Sequence, residues 1–217
     1  MNDLSKRLAT SFVLGLIFFF SVINEVIFIF VLFIIFIQLY YELYFLINKI
    51  LSKKDKLLLY FILILILIYL FIFILCIVIN FPHKQNNNFI ILIMSISICI
   101  ASDIGGYLFG RIFKGKKLTK ISPKKTYSGL LGAYILAILT TSLIFHNFFS
   151  SYYIIMFSVI VSTVSQLGDL FISYLKRKAK VKDTGNILPG HGGVLDRLDG
   201  IFFGIPAGFL TLLILHI

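Results

Sequence analysis

Two aspartates sit where carboxylates are costly. Asp103 lies inside an apolar run eight residues before Arg111, and Asp169 inside another, seven residues before Lys176. At about 1.5 Å of helix rise per residue, both fall roughly 10–12 Å short of the basic ends of their helices. An ionisable group at that depth faces a cavity or a partner and by default marks a functional site. The competing reading is a buried Asp–Lys pair that fixes helix register, and for each residue alone both readings are open.

Three further acids, Asp183, Asp196 and Asp199, follow Asp169 in a polar stretch. Asp196 and Asp199 are three apart, so a helix places them on one face. Carboxylates gathered in this way repel unless a divalent cation lies among them, and hard oxygen ligands suit Mg²⁺. Basic residues surround them: Ser122-Pro123-Lys124-Lys125-Thr126 in one segment, Lys176-Arg177 and Lys182 in another. Mg²⁺ within a basic rim points to phosphates. Pro189-Gly190-His191-Gly192-Gly193 adds a turn whose backbone N–H groups can approach an anion closely. His191 either holds this turn by a hydrogen bond or contacts the ligand. The remaining acids, Asp3, Glu25 and Asp55, read as solvated tail or turn residues. Glu42, beside Tyr40, Tyr41 and Tyr44, reads as an interfacial anchor of the kind found in aromatic belts.

The elements that carry these residues follow from composition and charge placement. The chain of 217 residues is 59% hydrophobic and 13% charged, against about 25% charged in soluble domains. Too little polar surface remains to cover a soluble globule, which excludes a soluble enzyme, a secreted disulfide scaffold and a disordered chain. Cys76 and Cys99 lie in apolar runs, form no motif and read as small packing residues. Apolar stretches long enough to span a bilayer occur at roughly 8–23, 26–47, 57–80, 89–110, 129–146, 151–175 and 200–217, with Asn24-Glu25 as a tight turn between the first two. The fold class is therefore all-α, a polytopic membrane helix bundle of about seven spans. Residues 1–88 form an N-terminal region of three spans and 89–217 a region with two long loops, 111–128 and 176–199.

Of the 20 Lys and Arg residues, all but Lys84 fall at the N-terminus or in alternate connections. Background lysine enrichment does not alternate in this way. The positive-inside rule does, and it places the N-terminus and both long loops in the cytoplasm. No nucleic-acid partner is expected. The spacings Gly106-x-x-x-Gly110 and Gly200-x-x-x-Gly204-x-x-x-Gly208 read as close helix packing, and Pro206 as a kink tolerated among neighbouring helices.

With these residues in view, Ser173-x-x-Lys176-Arg177-x4-Lys182-Asp183-x5-Pro189-Gly190-His191-Gly192-Gly193-x2-Asp196-Arg197-x-Asp199 resembles the C-terminal signature of the phosphatidate cytidylyltransferase (CDP-diacylglycerol synthase) family. Asp103-Ile-Gly-Gly-Tyr107-x-x-Gly110-Arg111, Ile121 to Thr126, and Gln166-Leu-Gly168-Asp169 are similar to the same family. The likeness covers about 101–200. Ile172 stands where relatives carry an acid, and Tyr127-Ser128 where they carry Trp-Glu.

The resemblance implies cytidylyl transfer from CTP to phosphatidate on the cytoplasmic face of a bacterial-type plasma membrane. By the same resemblance, Asp169 and Asp196 are the principal Mg²⁺ ligands, with Asp199 supporting and a second metal ion admissible. Asp169, Asp196, Asp199, Lys176 and Arg197 are the expected catalytic set. Ser122, Lys124, Lys125, Thr126, Arg177, Lys182, Asp183, His191, Gly192, Gly193, Asp103 and Tyr107 are the expected substrate-binding set. For Asp183 a salt bridge to a neighbouring lysine stands beside ligand contact. A homodimer is expected. The alternatives are the same chemistry on an archaeal ether lipid, a CTP-dependent polyprenol kinase, or an ion-coupled transporter. The last predicts acids at mid-membrane and repeated halves, and the sequence has neither.

Overall fold

The computed structural model describes residues 3–51, 55–79, 87–119, 121–190 and 192–215. Seven α-helices appear among them: α1 (Asp3–Ile23), α2 (Glu25–Ile50), α3 (Lys56–Val78), α4 (Asn87–Phe113), α5 (Tyr127–Phe145), α6 (Ser151–Lys178) and α7 (Leu195–Leu215). They coincide with the seven expected spans. Helices α2 to α7 are long and apolar enough to cross a membrane, whereas the apolar part of α1, Ala9–Ser21, is shorter. Large apolar side chains lie exposed along these helices, among them Leu57 (87%), Leu143 (75%) and Ile214 (74%). Apolar area on that scale marks a surface made for lipid rather than water.

Helix ends are set by local chemistry. Asn24 caps α2 by accepting hydrogen bonds from the Val26 and Ile27 N–H groups, at 2.9 and 3.3 Å, so the expected turn between the first two helices is present. Thr126 caps α5 by accepting from the Gly129 N–H at 3.1 Å. Each cap satisfies donors that the first helical turn leaves unpaired.

The chain forms two compact units, Met1–Val78 with Leu175–Leu198, and Ile79–Tyr174 with Asp199–Ile217. In the first, α2 packs against both α1 and α3. Its buried stripe runs Leu39, Leu43, Leu46 and Ile47, and Glu42 lies on the same stripe.

In the second unit, α4 lies hard against α5 because glycines remove the side chains between them. A Cβ on Gly105 would strike the Gly132 carbonyl, and one on Gly132 would strike the Phe109 ring. On α7, a Cβ on Gly204 would meet the Cys99 sulfur, and one on Gly208 the Ser95 hydroxyl. These glycines pack helices, as their spacing predicts. Hydroxyl pairs tie α4 and α5 to α6: Ser102 with Ser162 at 2.8 Å, Tyr134 with Thr163 at 2.9 Å and Thr141 with Ser158 at 2.6 Å. The apolar core beside them includes Met94, Ile98, Phe157 and Val161, all fully buried.

Candidate active site

The second unit encloses a cavity of about 350 Å³ whose lining includes Ser102, Asp103, Gly106, Tyr107, Ser122, Lys124, Lys125, Thr126, Gln166, Asp169 and Asp199. Its position follows from the elements around it. Asp103 and Tyr107 are one turn apart on α4, Asp169 lies in the cytosol-directed half expected of α6, and Asp199 is in the first turns of α7. The α4–α5 connection brings in the lysines. The helix α4 stops before Lys114, which takes a left-handed φ of 44°. The chain then folds back on itself, with the Leu118 N–H donating to the Lys125 carbonyl at 2.8 Å and the Tyr127 N–H to the Lys116 carbonyl at 3.0 Å. This pairing holds Ser122 to Thr126 at the N-terminus of α5, an end that favours anions.

Within the cavity, Lys125 Nζ pairs with Asp169 Oδ2 at 2.5 Å, both groups about a quarter exposed. Ser173 donates to the other Asp169 oxygen at 3.4 Å. Arg111 reaches back one turn to donate to the Tyr107 hydroxyl at 2.9 Å. Small helix residues give the cavity its space: Gly106 and Gly129 are part of its wall. Eight residues expected from the sequence therefore share one cavity: Asp103, Tyr107, Ser122, Lys124, Lys125, Thr126, Asp169 and Asp199. Ser102 joins them without a sequence signal, since a lone serine in an apolar helix has none.

The glycine-rich segment belongs to the first unit. Lys180, with φ of 56°, ends α6, and the Val181 N–H closes the helix on the Lys176 carbonyl at 3.0 Å. Leu188 and Gly192 then exchange two backbone hydrogen bonds, at 3.0 and 3.1 Å, across a turn in which Gly190 and Gly192 have φ of 77° and 86°. Left-handed backbone at both positions is why glycine is needed there. A polar cavity of about 410 Å³ opens beside this turn, lined by residues that include Lys182, Asp183, Asn186, Gly190, Gly192 and Arg197. His191 falls outside the described residues. Arg177 is exposed in the last turn of α6.

Asp196 accepts hydrogen bonds on both carboxylate oxygens. Its Oδ1 accepts from Lys176 Nζ at 2.7 Å. Its Oδ2 accepts from the Thr184 N–H at 2.7 Å and the Gly193 N–H at 3.0 Å. The pair is nearly buried, with side-chain exposures of 15% for Lys176 and 8% for Asp196.

Glu42 is not the interfacial anchor that its tyrosine neighbours suggested. It is 1% exposed and accepts hydrogen bonds from the Val194 and Leu195 N–H groups, both at 2.9 Å, from the Thr184 hydroxyl at 2.6 Å and from Gln38 Nε2 at 2.6 Å. Burial on the packed stripe of α2 removes it from the interface, and unpaired donors at the start of α7 explain why a carboxylate is tolerated there.

The donor chemistry suits Mg²⁺: hard carboxylate oxygens, two of them, Asp169 and Asp196, each compensated by a lysine ammonium that a divalent cation would displace. Among the described residues no three acidic, histidine or cysteine side chains stand close enough together to hold a metal as they are.

The chain is similar to known proteins over about half of its length. Phosphatidate cytidylyltransferase of Rickettsia felis is 49% identical over 110 residues, 46% of this chain and 48% of that protein. The protein of that name from Helicobacter pylori J99 is 40% identical over 122 residues, 55% of this chain and 46% of its own length. The one from Staphylococcus saprophyticus is 41% identical over 120 residues, 54% and 45% respectively. The chain thus spans about half the length of the curated relatives it matches. The model of the cytidylyltransferase family, by contrast, matches residues 6–215, from the first turn of α1 to the end of α7. On that match, this chain belongs to the cytidylyltransferase family.

Proposed function

We propose that the protein transfers the cytidylyl group of CTP to phosphatidate, giving CDP-diacylglycerol and pyrophosphate, at the cytoplasmic face of the membrane. The observation that carries this reading is the cavity in which Asp103, Asp169 and Asp199 meet Lys124, Lys125 and Thr126, beside the Arg111 end of α4 and the N-terminus of α5. A soluble triphosphate reaches such a site from the cytosol, while a lipid phosphate reaches it sideways from the leaflet. The alternation of basic residues supports the cytoplasmic placement.

The chemistry asks little of the protein as a base. The phosphate of phosphatidate is already anionic at neutral pH. One of its oxygens bonds to the α-phosphorus of CTP, the bond from that phosphorus to the bridging oxygen of the β-phosphate breaks, and pyrophosphate leaves. The protein supplies alignment and compensation of charge, the main tasks in transfers at phosphorus. Lys124 and Lys125 offset phosphate charge from the α5 side of the cavity, and Tyr107 with Ser122 offers hydroxyls for orientation. Lys182 and Arg197 are the cations of the glycine-rich turn, whose backbone leaves room for an anion. Mg²⁺, when bound, neutralises charge developing on the phosphates, and Asp169 and Asp199 in the second unit and Asp196 in the first are each proposed as metal-binding carboxylates.

Incubation of the purified full chain with labelled CTP, phosphatidate and Mg²⁺ tests the proposal. Labelled liponucleotide and pyrophosphate should form together, and chelation should stop both. Intact CTP after incubation with folded protein would overturn it. Competition between phosphatidate and an ether-lipid phosphate reads which lipid backbone is preferred.

A further inference from the structure

Glu42 stands 142 residues before Thr184 and more than 150 before Leu195, outside every motif singled out in the sequence, yet it reaches into the glycine-rich loop. Its four hydrogen bonds leave neither carboxylate oxygen idle. The two from Val194 and Leu195 take up N–H groups at the start of α7 that have no partner within the helix. Asp196 is the next residue along.

The loop is shaped around this carboxylate. A Cβ on Gly193 would collide with Glu42 Oε2 and the Thr184 hydroxyl, and one on Gly185 would lie 3.1 Å from Glu42 Oε1. Both glycines leave space that the Glu42 side chain fills. Thr184 links the two acids: its hydroxyl oxygen is 2.6 Å from Glu42 Oε2 and 3.0 Å from Asp196 Oδ2. A hydroxyl has one proton to give, and the nearer oxygen takes it. Asp196 Oδ2 is then held by the two backbone N–H groups of Thr184 and Gly193, which are themselves fixed through Glu42.

We propose that Glu42 is a positioning residue for Asp196: it clamps the Thr184–Leu195 loop onto α2 and so sets the orientation of a carboxylate that the reaction uses. This rests on the reading of Asp196 as a metal-binding carboxylate. Partners that orient a metal ligand cost about 10–100-fold in metal affinity or activity when removed, which sets the size of the effect.

The test compares wild type, Glu42→Gln and Thr184→Val, each as the full chain in detergent. Hydrogen–deuterium exchange of the metal-free protein, the Mg²⁺ concentration for half-maximal liponucleotide formation, and the thermal midpoint are read for each. In Glu42→Gln the Val194 and Leu195 amides should lose protection while those of α4 and α5 keep theirs. The Mg²⁺ half-point should rise about 10-fold or more, and Thr184→Val should shift it the same way by less. Retained protection at Val194 and Leu195 would overturn the clamp. Lost protection or a lowered melting point with an unchanged Mg²⁺ half-point would make Glu42 structural only and overturn the positioning role. Should Glu42→Gln fail to fold, an unchanged half-point in Thr184→Val overturns it instead. If wild type makes no liponucleotide, the proposed reaction fails, and the exchange data still decide whether the clamp exists.

Discussion

Asp196 and Asp169 are both aspartates paired with lysines, but their surroundings differ in kind. The Lys176–Asp196 pair is nearly buried, and backbone N–H groups of a constrained loop hold the carboxylate from its other side. The Lys125–Asp169 pair is open on a cavity, with a long hydrogen bond from Ser173 as its further support. The first arrangement fixes an orientation before any ligand arrives. The second leaves an ammonium and a carboxylate, each about a quarter exposed, that incoming phosphate and cation can reach and separate. One aspartate is built in, and the other is available.

That contrast is best broken at its strongest point. Asp196→Asn should abolish Mg²⁺-dependent liponucleotide formation, a loss beyond the roughly 100-fold upper range for outer partners. It should also lower stability by about 3 kcal/mol, because Lys176 is left unmatched in a buried place. Near-normal turnover in that variant would remove Asp196 from the chemistry. Next in size are the two lysines taken together. Lys125→Ala should reduce activity about 10–100-fold with a thermal midpoint close to wild type, whereas Lys176→Ala should cost about 3 kcal/mol of stability. Equal midpoints for the two variants would erase the distinction between built-in and available.

Smaller effects sharpen the outlines of each region. Gly193→Ala places a methyl group against the Glu42 carboxylate and the Thr184 hydroxyl, and overpacking there should cost about 1–3 kcal/mol. Calorimetry in detergent reads it; a neutral result would mean the loop yields more easily than its hydrogen bonds suggest. Thr126→Ala removes the α5 cap beside the cavity and should cost about 1 kcal/mol, with a modest fall in apparent CTP affinity.

Much of this is legible in the amino-acid sequence itself. Apolar runs located all seven helices because a spanning helix must satisfy its own backbone and present apolar surface everywhere. The turn at Asn24 was readable because it is the polar break in an otherwise continuous run. Asp103, Asp169 and the Ser122–Thr126 segment were singled out by charge in improbable places, and the cavity gathers them. Glu42 was misread for a physical reason. Its partners lie far along the chain, and short-range spacing says nothing of contacts at that distance. One trace was present: Gln38 precedes it by one turn, making a polar pair on a single face of α2, which an interfacial side chain has no need of.

The glycine contacts between α4 and α5 bear on how such a protein can change over generations. Where the Gly105 and Gly132 backbones nearly touch, no heavier residue fits, so inherited variation at these sites is barred almost regardless of its chemistry. The outer faces of α2 and α3 face the opposite rule. Lipid asks only that Phe33, Phe61 or Leu65 be apolar, so drift among Leu, Ile, Phe and Val is nearly free there. Two tempos of divergence are thereby built into one chain, a slow clock in the glycine seam and a fast one on the lipid-facing surface.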